Sequence, residues 1–321
     1  MELTNQQNKV FEQIKAFLKS DASVFILRGY AGTGKTTMVK VIADYIEQTR
    51  QLVMMAPTGR AARVLAMKTG HTATTIHKAI YSKAHVEPKK VKNIAESEFK
   101  FVFSINNSEN GGNIVAIVDE ASMVCSRKIE HELFMFGTDN LMEDLLTFVR
   151  PNFGGKVIFV GDPAQLPPVG ESVSNALRAE YFKEKGLKVI EAELTEVLRQ
   201  KDDSVILKNA MMIRDLLKKD KRNQLVFEEQ KDDVETIPSE QFLDKYLNYR
   251  KESGKHDSVI ICYSNKSANR YNRDIRKSLY GGDVPLQEND ILLITQNNYR
   301  LDRMNGEFVP VLSIGERIQQ S

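Results

Sequence analysis

The sequence has few cysteines, no excess of one charge and no long apolar run. Its 321 residues include two cysteines, Cys125 and Cys262, which are too few for a disulfide framework or a cysteine-only metal site. The formal net charge of +2 does not by itself indicate nucleic-acid binding, so any basic surface must be local. The sequence shows neither a basic-then-apolar leader nor an apolar run of membrane-spanning length. These absences predict a cytoplasmic protein without a membrane partner.

The composition is that of a folded protein. Hydrophobic residues make up 41% and charged residues 27% of the chain, which excludes a wholly disordered protein. The length favours two domains over one.

Short apolar strands alternate with helical patterns in the first part of the chain. The segment "LTNQQNKVFEQIKAFL" has helical spacing after the cap candidates Thr4 and Asn5. Four segments predict strands: "SVFILRG", "QLVMMAPTG", "IVAIVDEASMV" and "KVIFVGDPAQ". The helix "TTMVKVIADYIEQT" between the first two has the length of a parallel crossover. We therefore predict a doubly wound α/β domain with its ligand at the carboxyl ends of the strands.

Two further regions complete the predicted organisation. Residues 81–112, with Phe99, Phe101 and Phe103 alternating before the turn-rich "NNSENGGN", predict a small hairpin-like insertion. The segment "SVIICYSNKSANRYNRDIRKSLY" predicts a buried strand, a polar loop and a helix of a second α/β domain. The predicted boundaries are 1–235 for the first domain and 236–321 for a partial second one.

The segment "GYAGTGKTT" matches the phosphate-binding motif G-x-x-x-x-G-K-[ST] between a strand and a helix. Its glycines let backbone N–H groups surround a phosphate, Lys35 reaches the β and γ oxygens, and Thr36 holds Mg²⁺. The motif predicts an ATP and magnesium site formed by Gly29, Ala31, Gly32, Thr33, Gly34, Lys35, Thr36 and Thr37.

Two further strand ends carry polar residues suited to the same site. Asp119, at the end of "IVAIV", is placed to hold the magnesium shell, and Glu120 is placed to orient or deprotonate the attacking water. The loop "VGDPAQLPPVG" follows another strand. Its two consecutive prolines make it a stiff, extended loop that carries Gln165.

The segments "GYAGTGKTT", "APTGRAA", "TTIHKAI", "VDEASMV", "VGDPAQLPPVG" and "LTEVLRQ", in this order, resemble the superfamily 1 DNA helicases that move 5′ to 3′, the RecD and Dda type. The resemblance covers almost the whole chain, from Leu3 to about Gly306. It implies RecA-like P-loop NTPase domains and ATP hydrolysis coupled to DNA.

The resemblance also implies roles for individual residues. Gln7 corresponds to the glutamine that recognises adenine, and Gln165 to the one that senses the γ-phosphate and passes its loss towards the DNA. Arg199 corresponds to an arginine that contacts the γ-phosphate, where a planar cation stabilises charge spread over the oxygens. The implied DNA contacts are Pro57, Thr58, Arg60, Thr75, His77 and Asn265, and the implied DNA is a single strand or a forked duplex with a 5′ tail.

The resemblance is weaker near the end of the chain. The segment "ENDILLITQNNYRLDRMNGEF" resembles the family segment that leads into an inserted SH3-like barrel, and later helicase motifs do not follow it. This pattern predicts an incomplete second RecA-like domain, and hence a chain that binds ATP but couples it poorly to movement.

Several alternatives remain at this level. A chain of this kind can act as a nucleotide-gated single-strand-binding protein without motor activity, or as an RNA helicase, because single-strand channels grip backbones without requiring deoxyribose. An unrelated P-loop kinase is disfavoured because phosphotransfer has no use for Gln165, Arg199 or the Thr-x-His segment. One of Phe99, Phe101 and Phe103 in the insertion could also act as a wedge that splits a duplex, and this possibility stays open. The sequence indicates no protein partner.

Overall fold

A computed structural model describes residues 3–82, 85–88, 99–106, 114–130, 134–196, 204–219, 224–231, 233–253, 258–295 and 307–315. The chain divides into two compact units: Met1–Gln200 with Thr295–Glu307, and Lys201–Ile294 with Phe308–Ser321. This division groups residues 201–235 with the second unit, whereas the sequence pattern assigned them to the first domain; the boundary at 235/236 stays a prediction.

The first unit alternates strands and helices, as the apolar pattern predicted. Its elements are α1 (Asn5–Lys19), β1 (Val24–Gly29), α2 (Lys35–Ile46), β2 (Gln51–Ala56), α3 (Gly59–Thr69), β3 (Ala73–Thr75), α4 (Ile76–Ile80), β4 (His85–Pro88), β5 (Phe99–Phe103), β6 (Ile114–Val118), β7 (Phe134–Phe136), α5 (Leu141–Val149), β8 (Lys156–Gly161), α6 (Ala179–Lys183) and β9 (Val189–Leu194).

Six of these strands form one parallel sheet in the order β3-β2-β6-β8-β1-β9. Alternate residues of each strand point to opposite faces, so the sheet has two cores. Phe25 and Leu27 face the core that contains α1 and α2, whereas Val24 and Ile26 face the core that contains α4, α5 and α6. The predicted fold, a RecA-like parallel sheet flanked by helices, is confirmed. The carboxyl ends of β6, β8 and β1 are thereby placed side by side.

Helix α1 begins where the sequence predicted. Thr4 is its N-cap and accepts a hydrogen bond from the backbone N–H of Gln7, while the Gln7 side chain accepts one from the backbone N–H of Thr4. This capping box satisfies two amide groups that a helix start otherwise leaves unpaired, and a cap of this kind is worth about 1 kcal/mol.

The insertion predicted at residues 81–112 is a hairpin in its described part. Strands β4 and β5 pair antiparallel, and β5 also pairs in parallel with β7, which comes later in the chain. The sequence pattern did not predict β7, because a strand of three residues gives too short a period to recognise.

The second unit contains mostly helices in its described residues. They are α7 (Val205–Lys218), α8 (Ser239–Ser253) and α9 (Asn265–Tyr280), followed by an antiparallel pair, β10 (Ile291–Leu293) and β11 (Phe308–Pro310). The rings of Phe242 on α8 and Tyr271 on α9 pack edge to face at 5.6 Å.

One predicted element of the second unit is wrong. The segment before α9 was expected to be a buried strand, but residues 258–262 form no strand, and Val259, Ile261 and Tyr263 are exposed. A run of apolar residues shows only that the side chains suit a buried strand. A strand also needs a neighbouring strand to pair with its backbone, and no described strand pairs with this segment. No helix in the described part of the chain has the length and apolarity to cross a membrane.

Candidate nucleotide-binding site

The loop between β1 and α2 has the backbone that a phosphate-binding loop requires. Gly32 and Gly34 have positive φ angles of 81° and 80°, which suit glycine, and Gly34 caps α2. A Cβ atom on Gly29 would lie 2.8 Å from the Thr33 hydroxyl oxygen, so this position also excludes a side chain. The loop therefore turns tightly into the helix N-terminus, where unpaired N–H groups favour an anion.

The Lys35 ammonium folds back onto this loop. Its Nζ donates hydrogen bonds to the carbonyl oxygens of Gly29, at 2.7 Å, and Tyr30, at 2.9 Å. The Thr33 hydroxyl also donates to the carbonyl of Tyr30, at 2.8 Å. The loop thus holds Lys35 at its rim, where an incoming phosphate can exchange with the carbonyl oxygens.

Asp119 and Glu120 follow β6, beside the strand that leads to the Gln165 loop. Burial raises the pKa of Asp119 to about 6, although the backbone N–H of Glu120 and the charge of Lys35 act in the opposite direction. Glu120 has a φ of 50°, in the left-handed region that is costly for a non-glycine residue. A half-buried carboxylate with a raised pKa next to a strained one suits a site that binds a cation and orients a water molecule.

The Gln165 loop contacts the segment that follows Glu120. The Gln165 side-chain oxygen accepts a hydrogen bond of 3.3 Å from the hydroxyl of Ser122, a fully buried residue. Asp162 fixes the start of the loop, because its carboxylate accepts the N–H of Ala164 at 2.8 Å and its backbone carbonyl accepts that of Gln165. The two strand-end segments are therefore joined close to the candidate catalytic carboxylates.

Gln7 is buried at the start of α1, and part of its side chain has no partner. Only 2% of its surface is exposed, and its Nε2 forms no hydrogen bond in the structure. A buried amide group of this kind normally has an acceptor. The acceptor nitrogens of an adenine ring fit this unpaired donor.

The neighbouring Gln6 connects α1 to the segment after β9. Its Oε1 accepts the backbone N–H groups of Thr195 and Glu196, at 3.0 and 3.1 Å, and its Nε2 donates to the Thr195 hydroxyl at 2.9 Å. Arg199, which lies four residues beyond Thr195, is outside the described residues. Gln6 was not predicted from the sequence, because nothing in "NQQ" distinguishes a glutamine that hydrogen-bonds a distant segment from one that faces solvent.

The residues after β2 have the expected position at a strand end. Pro57 and Thr58 lie in the connection to α3, and the Thr58 hydroxyl caps this helix by accepting the N–H of Ala61 at 3.2 Å. Arg60, on the first turn of α3, is exposed. A backbone phosphate fits such a helix start with a nearby arginine.

Thr75 and His77 pack against neighbouring side chains and are not fully exposed on the surface. Thr75 is buried, and its hydroxyl caps α4 by accepting the N–H of Lys78 at 3.2 Å. The His77 ring lies edge-on against Phe136 at 5.4 Å and tilted against Tyr81 at 5.6 Å. The phenylalanines of the insertion continue this cluster, with Phe103 stacked on Phe136 at 4.5 Å.

Asn265 lies in the second unit. It is exposed on the first turn of α9, which Ser264 caps by accepting the N–H of Ser267. The P-loop, Asp119, Glu120, Gln165 and Gln7 thus belong to the first unit, and Asn265 belongs to the second.

The donor set fits a nucleotide with a divalent cation. Thr36 and Asp119 supply oxygen ligands, which Mg²⁺ prefers, and magnesium bound with a nucleotide usually takes few protein ligands. Among the residues that the structure describes, no cluster of three or more His, Cys, Asp or Glu side chains forms a protein-only metal site.

The fold and these loops define a P-loop nucleotide-binding protein with a RecA-like sheet. More specifically, the model of the AAA domain family matches residues 2–238, so the chain belongs to this family.

Individual relatives agree with the resemblance found in the motifs. The chain is 33% identical over 168 residues to the ATP-dependent RecD2 DNA helicase of Deinococcus radiodurans, covering 52% of this chain and 18% of that protein. It is 24% identical over 315 residues to the ATP-dependent DNA helicase dda of Enterobacteria phage T4, covering 95% of this chain and 64% of that protein. The chain thus spans less than two thirds of the length of either relative.

A solved structure supports the same fold. A Pif1 helicase structure, described as showing DNA unwinding at forked double-stranded DNA, superposes with a TM-score of 0.54 at 20% identity, covering 98% of this chain and 72% of that one. This structure supports the fold, while the family match and the two helicase relatives bear out the resemblance to superfamily 1 helicases of the RecD and Dda type.

Proposed function

We propose that this protein is an ATP-dependent DNA helicase or translocase that moves 5′ to 3′ along single-stranded DNA. The observation that carries the proposal is the hydrogen bond between Gln165 and Ser122. It joins the Gln165 loop to the segment of Asp119 and Glu120, beside the phosphate-binding loop. A protein that only binds a nucleotide has no use for a glutamine joined to the segment of the catalytic carboxylates. A motor, by contrast, needs a group there that responds to loss of the γ-phosphate. The names of the two relatives, both DNA helicases, support the same function.

Each residue of the site has a role in ATP hydrolysis. In this proposal Lys35 leaves the carbonyl oxygens of Gly29 and Tyr30 and pairs with the β and γ oxygens. Glu120 orients the attacking water and accepts its proton. Arg199 neutralises charge that develops on the γ-phosphate.

Thr36 and Asp119 would hold magnesium, which would supply positive charge that stabilises the charge developing on the phosphates. Gln7 would select adenine through its unpaired amide group. The resulting signal, loss of the γ-phosphate, is passed on by Gln165.

The proposed DNA surface consists of the helix starts that follow β2 and β3. Thr58 and Arg60 offer N–H groups and a positive charge to backbone phosphates, and Pro57 shapes this turn. Thr75 and His77 are proposed to lie along the strand, and Asn265 to contact phosphate from the second unit. These contacts are mainly to the backbone, so they give affinity without sequence preference.

ATP hydrolysis by this chain, with and without single-stranded DNA, tests the proposal first. We expect DNA to raise kcat, and Lys35→Ala to lower it at least about 100-fold, because the substitution removes the cation on the transferred phosphate. Lys19→Ala, at an exposed lysine on α1, is the matched control and should behave as wild type. Intact ATP binding without DNA stimulation would contradict a motor and favour a nucleotide-gated binding protein.

Direction and nucleic-acid type need separate measurements. Displacement of streptavidin from biotinylated oligonucleotides gives the direction, because a 5′-to-3′ motor removes it from the 3′ end and leaves it on the 5′ end. Stimulation by oligo(dT) and oligo(U) of equal length compares DNA with RNA. Equal stimulation by both would replace the DNA helicase with a motor that does not distinguish the two backbones.

A further inference from the structure

The loop that carries Gln165 is fixed at its far end by Glu171. The Glu171 carboxylate turns back towards the segment that follows Glu120 and accepts four hydrogen bonds there. The donors are the backbone N–H of Ser126 at 2.7 Å, its hydroxyl at 2.7 Å, the thiol of Cys125 at 3.0 Å and the backbone N–H of Arg127 at 3.3 Å. One side chain thus binds three consecutive residues.

The segment that donates to Glu171 is itself held by further hydrogen bonds. Asn140, the N-cap of α5, donates to the carbonyl of Ser126 at 2.9 Å, and Asn175 donates to the Ser126 hydroxyl at 2.8 Å. Gly170 packs directly against Arg127, since a Cβ atom at this position would lie 2.5 Å from the guanidinium carbon. Glu171 is therefore attached to a fixed point of the first unit.

Most of the loop between Asp162 and Glu171 is exposed. Asp162 is buried where the loop leaves β8, and Pro168 is buried, but Leu166 and Val169 are 84% and 89% exposed. The contacts of Asp162 and Glu171 therefore contribute much of what holds the loop in position. Near the candidate catalytic carboxylates, the Gln165 side chain is held by the hydrogen bond from Ser122, which at 3.3 Å is long and therefore weak.

The charge of Glu171 suits this role. Burial raises the pKa of the Glu171 carboxyl, but the hydrogen bonds from Cys125, Ser126 and Arg127 outweigh burial and bring the pKa below its usual value. The carboxylate is then ionised at neutral pH and accepts from all four donors. Hydrogen bonds to a charged acceptor are stronger than those between neutral groups.

We infer that Glu171 is a positioning residue, which keeps the Gln165 loop and the Asp119–Glu120 segment in fixed register so that loss of the γ-phosphate moves both together. This inference rests on the proposed function of Gln165 as the sensor. Without the anchor, the far end of the loop would lose its attachment to Cys125, Ser126 and Arg127, so movement of the loop would no longer be tied to the segment that carries Asp119 and Glu120.

The test compares Glu171→Ala with Glu171→Gln in the full chain, with Glu184→Ala, at an exposed glutamate after α6, as the matched control. The amide oxygen of Glu171→Gln can still accept from the backbone N–H groups of Ser126 and Arg127. Gln165→Ala reports the sensor itself. Three quantities are measured: amide hydrogen exchange of residues 163–170, the dissociation constant of an ATP analogue, and kcat with and without single-stranded DNA.

We expect Glu171→Ala to speed exchange in residues 163–170 and to lower DNA-stimulated kcat about 10- to 100-fold, the effect of misplacing a catalytic group. The dissociation constant of the analogue should change less than about twofold, because Glu171 is not placed to contact the nucleotide, and Glu171→Gln should restore most of the activity. A mere loss of stability would not produce this split between binding and kcat.

Two results would overturn the inference. In one, exchange of residues 163–170 in Glu171→Ala equals that of Glu184→Ala. In the other, exchange is faster but DNA-stimulated kcat is unchanged. If Glu171→Ala does not fold, Gly170→Ala disturbs the same end of the loop, through its contact with the Arg127 guanidinium, without removing the Glu171 acceptor, and the same criteria apply. If wild type is not stimulated by DNA, or Gln165→Ala matches wild type, the proposed function fails as well, which distinguishes that failure from loss of the anchor alone.

Discussion

At the scale of single residues, the unpaired amide group of Gln7 predicts base selectivity. Replacement of Gln7 by alanine should reduce the preference for ATP over GTP about tenfold, since one buried hydrogen bond contributes about 1–1.5 kcal/mol. Dissociation constants of fluorescent ATP and GTP analogues measure this preference.

A structural role alone would give a different result. Loss of the capping box between Thr4 and Gln7 would destabilise α1, and this would lower the affinities for ATP and for GTP equally. Asn5→Ala, at the exposed neighbouring position of the same helix turn, controls for changes at the helix start. An unchanged ratio of ATP to GTP affinity in Gln7→Ala would contradict adenine recognition.

The raised pKa of Asp119 predicts how stability depends on pH. Its folded-state pKa of about 6 lies above the usual 3.8, so the protonated form is favoured by folding, and this stability is present below about pH 4 and lost as pH rises through 6. Without nucleotide and magnesium, Asp119→Asn should therefore gain stability relative to wild type, on the order of 2–3 kcal/mol, between pH 4 and pH 8.

Urea unfolding of both proteins at several pH values measures this difference. Comparison with the variant removes the contribution of all other titrating groups. A difference that stays constant from pH 4 to pH 8 would show that Asp119 is not buried as an isolated carboxylate.

At the scale of elements, the aromatic cluster connects the inserted sheet to α4. Phe136 stacks on Phe103 and contacts His77 and Tyr81, whereas Phe134 is partly exposed at 42%. We expect Phe136→Ala to cost about 2–3 kcal/mol of unfolding free energy and Phe134→Ala less than about 1 kcal/mol. Urea midpoints of the two variants give the comparison.

The same pair tests whether the cluster orients His77. Affinity for single-stranded DNA should fall in Phe136→Ala and remain near the wild-type value in Phe134→Ala. Equal DNA affinities in both variants would remove His77 from the proposed DNA surface.

Elements with strong local signals were predicted well from the sequence. Helix α1 begins at Thr4 because a capping box precedes an amphipathic run, and β1 and α2 flank a glycine motif that has few alternative structures. The predicted strand at 258–262 failed because strand pairing depends on residues distant in sequence. Strand β7 was missed because its three residues give too short a period to recognise, and its pairing with the distant β5 leaves no local signal either.

At the scale of the whole molecule, nucleotide binding should stabilise the first unit. A ligand at about 100 times its dissociation constant adds about 2.7 kcal/mol to the free energy of unfolding. We expect MgADP to slow amide exchange across residues 3–196 of wild type and to have no such effect on Lys35→Ala. Protection that is equally strong in the variant would place the nucleotide elsewhere.

The chain by itself determined the nucleotide class and most of the candidate site. The spacing of "GYAGTGKTT", the carboxylates after "IVAIV" and the stiff "GDPAQLPPVG" loop are local patterns whose chemistry depends little on the surrounding fold. Their order along the chain also carried the family resemblance, which the family match confirms.

Only the tertiary structure decided how these segments are joined. The contacts of Gln6 with Thr195, of Ser122 with Gln165 and of Glu171 with Ser126 link residues between 43 and 189 positions apart. Glutamine, serine and glutamate are common surface residues, so their type gives no signal of such a role. The parallel sheet brings their strand ends together, and because this proximity is a property of the folded chain, the sequence pattern alone did not reveal it.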